Sequence, residues 1–443
     1  MNDATAWRLN STDEMLHQAA TALGSSRVVQ ILWRLPVPVP AQALQAEWRR
    51  LDSGLLSRRA ARAHLPGARR RWVPAANTHP LHLDHRPLTD ATAPQWIDTQ
   101  VRVPLAPDST ELWRLAAAPY HEGCLVSLTV PHFRSDGLGL LNAIAARAPA
   151  RRPRGPRDSD AAEALGQTTR AVARTAGWLL RLARDPRQCE RISAALRRPP
   201  AAAGPPARPQ FFSTAIFTVE AAEWQECARG RGGTANTLFL QIAANLVRAR
   251  VPRADREGIR VGIPVSLRRQ AGDERANALV VVPLGMPGGP VRHGDLSGAR
   301  QATKALLRDV GAHSATLVPE PLWHLLPARH AAALKNPGAQ QTDVVASNFG
   351  HAPDAVVDFA GHTADSVAMR TMNVPGLFPD KARLRASLCL FRTGHRMTVT
   401  VTGMPAHFGD SASLHRLVAE EFAAWGLTAR PWWSTTAHEA RKG

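Results

Sequence analysis

Three residues near position 132 have the types and the spacing needed for acid–base chemistry. His132 precedes Asp136 by four residues, and Gly137 follows the aspartate directly. An imidazole near neutral pH can take a proton from a hydroxyl or an amine and so create a nucleophile. The stretch therefore contains a candidate general base, His132, beside a carboxylate and a glycine.

The flanking residues predict the elements that would position this histidine. Residues 124–130 alternate with a period of two and are rich in β-branched types, which predicts a half-buried strand. From Gly137 onward, leucine and isoleucine recur at helical spacing, which predicts a turn and then a helix. His132 would stand at the end of a rigid strand. The alternative interpretation is structural: His132 is one of 17 histidines, and Asp136 caps the helix.

In this setting the stretch resembles the His-His-x-x-x-Asp-Gly motif of the CoA-dependent acyltransferase superfamily. That superfamily includes the condensation domains of peptide synthetases, wax ester synthase/diacylglycerol acyltransferases, polyketide-associated acyltransferases and alcohol acetyltransferases. The second histidine of the motif is the base, and His132 matches it. Pro131 stands in place of the first histidine, which is not the base in that family.

Motifs in the second half extend the resemblance. Gly-Gly-Thr-Ala-Asn at 232–236, Pro-Val-Ser-Leu-Arg at 264–268 with a downstream Asn277, and Ser-Asn-Phe-Gly at 347–350 occur in this order. Wax synthase-like members carry similar motifs in the same order. Thr237 is a departure, because that branch usually has an aspartate after the asparagine.

The resemblance covers residues 10–425 and implies an α/β fold. Two chloramphenicol-acetyltransferase-like subdomains would form a V, with an active-site tunnel at their interface. The thioester donor would enter from one face and the acceptor from the other. The implied co-substrate is acyl-CoA or a phosphopantetheine-linked acyl thioester. No bound cofactor, no metal and no covalent enzyme intermediate are implied.

The resemblance also implies roles for individual residues. His132 would deprotonate the acceptor, and Asp136 and Gly137 would complete the catalytic motif. The family's aspartate usually points away from the substrate and pairs with an arginine, for which Arg268 is the candidate by position. The residues that would bind substrate or stabilise the oxyanion across the tunnel are Asn236, Ser347 and Asn348. The alternative interpretation of the last two is a simple turn after a strand.

The charge of the chain is strongly positive, at +19, yet only four of its 55 basic residues are lysine. We interpret the arginine excess, together with abundant alanine and proline, as pressure from nucleotide composition. Few aromatic residues interleave with the basic runs, and no nucleic-acid motif is present, so we expect no nucleic-acid binding. An acidic acyl carrier protein is the expected partner that this charge would suit.

Cysteine usage and hydropathy predict a cytoplasmic protein. The four cysteines are far apart in sequence, which suits reduced thiols better than a disulfide or zinc framework. No apolar run approaches the length of about 18 residues needed to cross a membrane, and the polar start lacks a secretory signal. The expected species is a monomer that acts on acyl-CoA or a carrier protein and on a small alcohol or amine.

Other patterns predict the remaining elements and a division into two halves. Residues 11–14 carry a helix-start signal, and five prolines in 199–209 exclude helix or inner strand there. The predicted strands are 28–34, 112–115, 211–219, 258–264, 277–284, 342–348 and two within 385–403. The predicted helices are 41–63, 158–198, 222–228, 238–247, a region within 296–335, and 414–425. The predicted units are a first subdomain at 1–150, a linker at 151–209 and a second subdomain at 210–443.

Two further clusters have competing interpretations. His82, Asp84 and His85 lie close together but lack clear third and fourth ligands, so a surface loop is preferred to a metal site. Near the end, Trp432 and Trp433 are adjacent. Neighbouring strand residues point to opposite faces, so we expect one ring to be exposed, or packed on a neighbouring surface or membrane. Deleting 431–443 would then leave activity largely unchanged.

The function predicted from these observations is acyl transfer from a CoA or carrier-protein thioester to a hydroxyl or an amine, in secondary or lipid metabolism. One alternative is condensation-type formation of an ester or amide between two carrier-bound chains. A second alternative is a catalytically idle member of the fold that serves in docking or binding, since Pro131 and Thr237 depart from the family pattern.

Overall fold

The computed structural model describes residues 7–23, 26–146, 159–197, 208–251, 258–268, 273–308, 310, 314–336, 342–379 and 382–434. The predicted boundary at 199–209 and the start of the predicted linker lie mostly outside these residues. The elements of the first half are α1 (Ser11–Leu23), β1 (Ser26–Leu35), α2 (Ala41–Asp52), β2 (Arg58–Ala61), β3 (Arg71–Pro74), β4 (His82–Leu83), α3 (Ala93–Val101), β5 (Arg114–Tyr120), β6 (Gly123–Pro131) and α4 (Gly137–Ala145).

The remaining described elements form two helices and then a second mixed set. The helices are α5 (Asp160–Leu182) and α6 (Pro186–Arg197). The mixed set is β7 (Ser213–Glu220), α7 (Ala221–Gly230), α8 (Ala235–Arg250), β8 (Ile259–Ser266), β9 (Leu279–Met286), α9 (Ser297–Arg308), α10 (Glu320–Leu325), α11 (Ala328–Ala333), β10 (Val344–His351), α12 (Asp354–Val357), β11 (Asp358–Phe359), β12 (His362–Thr363), β13 (Ser366–Val374), β14 (Ala386–Thr393), β15 (Arg396–Gly403), α13 (Pro405–Phe408), α14 (Ser411–Ala424) and β16 (Arg430–Pro431).

Two large mixed sheets organise the described residues. The first has five strands in the order β13-β1-β6-β5-β4, and the second has seven in the order β16-β7-β15-β14-β10-β8-β9. Within the second sheet, β10 runs parallel to both β8 and β14, whereas the pairs β14/β15 and β8/β9 are antiparallel. This mixture of strands and helices confirms the predicted α/β class.

The strand that precedes His132 is fully buried, which corrects the expected half-buried strand. β6 lies inside the first sheet, between β1 and β5. On one of its faces Leu125 packs with Trp96 and Ile97 of α3. On the other face Val126 packs in a core that includes Leu140 of α4. Both faces of β6 are covered. The alternating side chains of this strand therefore enter two different hydrophobic cores, and neither face of the strand meets solvent.

One strand of the second half belongs to the sheet of the first half. β13 pairs antiparallel with β1, and Ala368 lies opposite Leu32. A long segment that the sequence division assigns to 210–443 therefore completes the first sheet. No sequence signal near 366–374 predicted this crossover, because the pairing joins residues more than 300 positions apart.

Two predicted helices end earlier than expected. The helix predicted over 158–198 is broken into α5 and α6, and α6 begins at Pro186. Proline has no N–H to continue a helix but is well tolerated in a first turn. Likewise α2 ends at Asp52 rather than at residue 63, just before a serine and Gly54.

The expected exposure of one of the terminal tryptophans is wrong. Trp432 and Trp433 are only 3 % and 4 % exposed, and both lie in a cluster with Ile216 and Leu125. β16 pairs with β7, and the amide of Trp432 donates to the carbonyl of Ile216 at 3.0 Å. The chain bends after Pro431 instead of continuing as a strand, so the two-faced alternation does not apply and both rings enter the same core.

Candidate active site

A cavity of about 860 Å³ lies where the two sheets meet. Met369 and Thr371 line it from the first sheet, and Val345 and Ser387 line it from the second. His132 also contributes to its wall. A space of this size is within the usual range for small-molecule sites, and it places the candidate base between walls built from both halves of the chain.

The backbone of His132 is held on both sides. Its amide donates to the carbonyl of Arg27 at 2.7 Å, and its carbonyl accepts from Nδ2 of Asn277 at 2.9 Å. The same Asn277 amide donates to the carbonyl of Phe133 at 3.2 Å and to Oδ1 of Asp13 at 2.9 Å. Because Asp13 belongs to α1, this network ties the histidine loop to a helix and to the strand β1.

The imidazole of His132 is in the state that a general base requires. Burial lowers its pKa well below the ordinary value, and the nearby positive charge of Arg27 lowers it further. The ring is therefore neutral at neutral pH and can accept a proton. Nδ1 is buried and has no hydrogen-bond partner among the described residues, so no carboxylate there orients the ring as in a Ser-His-Asp triad.

Asp136 serves as both the cap and the ion-pair partner that the sequence suggested. Its Oδ1 accepts from the amide of Gly139 at 2.7 Å, which caps α4. Its Oδ2 accepts from Nη1 of Arg268 at 2.7 Å and from the amide of Ala278 at 2.8 Å. The side chains of Arg268 and Asp136 are 6 % and 1 % exposed. The carboxylate is thus fully engaged by the scaffold, which is the arrangement of a positioning residue.

The ion pair has one contact rather than two. Nη2 of Arg268 donates instead to the carbonyls of Arg275 and Ala276, at 2.8 Å and 3.3 Å. The amide of Asp136 also donates to the carbonyl of Ala276, at 2.9 Å. Arg268 therefore joins the histidine loop to the segment just before β9.

Gly137 is required by the close approach of β10. A Cβ at this position would overlap the ring of Phe349 and would lie 3.0 Å from Sδ of Met369. The Phe349 ring in turn stacks on Phe391, with centroids 4.8 Å apart. A side chain at Gly137 would push the second sheet away from the histidine loop.

The three candidate oxyanion or substrate residues lie near one another but differ in access to the cavity. Ser347 and Asn348 line it, whereas Asn236 stands behind Asn348 and accepts from its Nδ2 at 3.0 Å. Oδ1 of Asn348 accepts from the amide of Gly350 at 2.9 Å, so this amide side chain also stabilises the turn. Thr237, which departs from the motif described above, forms a capping box with Thr234 at the start of α8.

Several cavity residues carry no signal in the sequence. Arg27 from β1, Thr371 and Asn373 from β13, and Ser387 from β14 all line the wall. Each is an ordinary strand residue, and only the pairing of β13 with β1 brings three of them together. No local pattern could have revealed them.

The charge of the lining is unbalanced. The cationic lining residues are Arg27, Arg191, Arg260, Arg268 and Lys335, and the acidic one is Asp136. Because Arg268 already neutralises Asp136, the described part of the cavity has a surplus of positive charge. Such a field favours anionic ligands and partners.

Two other predicted features concern metal binding and membrane crossing. No group of three or more His, Cys, Asp or Glu among the described residues is arranged to hold a metal ion. His82 lies in β4, which pairs with β5. Within the same described part of the chain, no helix has the length and apolar character needed to cross a membrane.

Comparison with solved structures decides the fold. The first condensation domain of the CDA synthetase superposes with a TM-score of 0.59 at 17% identity, over 95% of this chain and 96% of that one. The chain has the fold of condensation domains. The starter condensation domain of rhizomide synthetase RzmA gives a TM-score of 0.53 at 13% identity, covering 95% of this chain and 94% of that one. The condensation domain of the Monacolin K polyketide synthase MokA gives 0.52 at 12% identity, covering 95% and 96%.

The condensation-domain fold is found across the chain rather than in a fragment of it. The α/β fold expected from the resemblance is therefore confirmed, with its two mixed sheets, whereas the V shape and the tunnel stay predictions. No family model matches the sequence, and no curated protein matches it either. At 12–17% identity, the superpositions establish the architecture, and the chemistry has to be argued from the residues.

Proposed function

We propose that this chain is an acyltransferase that moves an acyl group from a thioester to a hydroxyl or an amine, with His132 as general base. The observation that carries the proposal is the position of His132 at the wall of a cavity between two sheets, with hydrogen bonds fixing both its backbone amide and its backbone carbonyl. Burial also lowers the pKa of its imidazole, as a general base requires. Ordinary surface histidines need neither burial nor such support.

The reaction follows from the groups in the cavity. His132 takes the proton of the acceptor O–H or N–H while the oxygen or nitrogen forms a bond to the thioester carbonyl carbon. The carbonyl electrons move to oxygen, and the hydroxyl of Ser347 is the proposed donor to that oxyanion. The C–S bond then breaks, and the imidazolium returns its proton to the departing thiolate. Asp136, Arg268 and Asn277 keep the histidine loop in place throughout.

The donor is proposed to be acyl-CoA or the phosphopantetheine-linked thioester of an acidic carrier protein. The unbalanced positive charge of the cavity lining supports an anionic donor. Among the structural neighbours, one starter condensation domain was solved in complex with C8-CoA and Leu-SNAC, and that pairing of a thioester with a second substrate guides the proposal. Condensation between two carrier-bound chains remains the second version of the same chemistry. We further propose a cytoplasmic monomer with subdomains at 1–150 and 210–443 joined by 151–209, in which β13 of the second subdomain completes the sheet of the first.

The test is thiol release from a panel of acyl-CoA and acyl-pantetheine thioesters, each with alcohol and amine acceptors. Wild-type protein should release thiol only when an acceptor is present. His132→Ala should lower turnover by about 10²–10⁴, the usual contribution of a positioned base. His85→Ala is the matched control, since His85 is exposed and outside the cavity. Equal turnover by wild type and His132→Ala would refute the proposed base, and no release by wild type with any pair would favour the idle, docking alternative.

A further inference from the structure

Arg27 lies beside His132 in the first sheet. In the pairing of β1 with β6, Val28 lies opposite Pro131, so the next position along the ladder places Arg27 opposite His132. The hydrogen bond from the amide of His132 to the carbonyl of Arg27, at 2.7 Å, agrees with that register. Directly opposed residues of an antiparallel pair project from the same face, with Cβ atoms about 4.5–5.5 Å apart.

The face that carries both side chains is the cavity face. Arg27 and Val29 line the cavity from β1, as do their partners Asn373 and Thr371 from β13. His132 lines it from the end of β6. Three neighbouring strand segments therefore present a guanidinium, an imidazole, an amide and a hydroxyl to one small region of the wall.

The charge of Arg27 is not balanced within the described residues. Its guanidinium has no hydrogen bond and no ion pair to any of them, although the residue is only partly exposed. Burial lowers the pKa of this guanidinium, because its charged form loses solvation. The carboxylate of Asp136 is engaged by Arg268 and by the amides of Gly139 and Ala278.

Two buried arginines show the contrast. Arg8 pairs with Asp160 at 2.8 Å, and Arg370 pairs with Asp98 at 2.6 Å. Partial desolvation of a cation without a partner is unfavourable, and a guanidinium is shaped to bind a carboxylate with two parallel hydrogen bonds. The arrangement at Arg27 is that of a binding group whose partner is a ligand.

We propose that Arg27 binds the carboxylate of the acceptor, so that the natural acceptor is a hydroxy acid or an amino acid. The inference rests on the proposed acyl transfer, because it places the acceptor's nucleophile beside His132. With Cβ atoms about 5 Å apart, a carboxylate on Arg27 brings a hydroxyl or amine one or two carbons away within reach of the imidazole. Asn373 and Thr371 lie close enough in the register to select the rest of a small acceptor.

The phosphates of the donor do not fit this position. In CoA and in a carrier-bound arm, the whole pantetheine chain separates the phosphate from the thioester. A thioester that reacts beside His132 therefore holds its phosphate far from Arg27. The alternative role for Arg27 is stabilisation of the oxyanion. That role would affect kcat with every acceptor equally, so the experiment below distinguishes it from carboxylate binding.

The experiment compares acceptors that differ only in charge. Leucine is paired with leucinamide, and 3-hydroxybutyrate with 3-hydroxybutyramide, using the donor that gives the fastest thiol release. For wild type, kcat/KM should favour the acids by about 10- to 100-fold, the range for a charge-assisted pair. In Arg27→Met that preference should vanish because KM for the acids rises toward KM for the amides, and Arg27→Lys should restore part of the preference. Arg260→Met is the matched control, since Arg260 also lines the cavity but is exposed.

Each other outcome has one meaning. A wild type that uses acids and amides equally overturns the carboxylate site while leaving acyl transfer intact. An Arg27→Met variant that loses kcat with every acceptor assigns Arg27 to the oxyanion and also overturns the proposal. If no donor is used at all, acyl transfer fails, and calorimetric binding of octanoate and octanamide then tests the site separately. Octanoate that binds wild type at least 10-fold tighter than Arg27→Met supports the site, and equal binding to both proteins rejects it.

Discussion

Loss of the Asp136–Arg268 ion pair should cost both stability and activity, whereas loss of His132 should cost activity alone. Asp136→Ala removes three acceptor contacts, to Arg268, Gly139 and Ala278. Arg268, at 6 % exposure, is left without its carboxylate. Breaking a buried pair in this way typically costs about 3–5 kcal/mol, and loss of the helix cap adds about 1 kcal/mol.

The two partners should not be equivalent. Arg268→Met leaves Asp136 with two amide donors, so we expect a loss near the lower end of about 3–5 kcal/mol. Asp136→Ala also uncaps α4 and should be the more destabilising of the two. The double variant should lose less than the sum of the single losses, by a coupling of about 0.5–3 kcal/mol.

Urea unfolding followed by tryptophan fluorescence measures these differences. His132→Ala is the control, because it lies in the same loop but leaves no buried charge without a partner. Its urea midpoint should stay close to that of wild type. Thiol release should fall in all four variants. If Asp136→Ala unfolded at the wild-type urea concentration, the carboxylate would not hold the loop, and a direct catalytic role for Asp136 would have to be reconsidered.

Four further perturbations test other parts of the structure. Burial and Arg27 hold the pKa of His132 below its ordinary value, so the base stays neutral as pH falls. The acid limb of the kcat/KM profile should therefore lie below pH 6.5. A limb at or above pH 6.5 would contradict the burial of His132. Gly137→Ala should lower kcat and shift the second sheet away from the histidine loop, because the added methyl overlaps Phe349. Gly298→Ala, at an open position, should have neither effect. Truncation after residue 430 removes two buried tryptophans and should lower the melting temperature and yield, reversing the expectation from the sequence; an unchanged melting curve would show that the tail does not contribute. KM for the donor should rise with salt as the positive lining is screened, and a flat response would assign the charge to composition alone.

The sequence predicted the local parts of the site well. A period-two run followed by a helical one located β6 and α4, and an aspartate directly before a glycine located the cap. Such features depend on residues within a few positions of one another, where hydrophobic period and capping chemistry dominate. Arg268 was found only through the resemblance, since no spacing rule links positions 136 and 268.

The parts that sequence reasoning missed depend on distant pairing. β13 joins β1 across more than 300 residues, and with it come Thr371 and Asn373 on the cavity wall. Arg27 lies one residue before the strand predicted over 28–34, and its role depends on what lies opposite it in the sheet. The predicted exposure of one tryptophan of the Trp432–Trp433 pair is wrong for a related reason. Strand alternation does not extend past Pro431, because the chain bends there and places both rings in the core.

The crossover strand explains why the base can be both buried and accessible. A histidine at the end of an edge strand would be solvated and would keep an ordinary pKa. Here β6 is an interior strand because β1 and β5 flank it, and β13 in turn covers the outer edge of β1. The side chains of β13 then form the wall beside His132 and Arg27, while the second sheet supplies Ser347 and Ser387 from the opposite side. Desolvation keeps the imidazole neutral and strengthens any contact that Arg27 makes with an anion, so one structural feature serves both the proton transfer and the proposed selection of the acceptor.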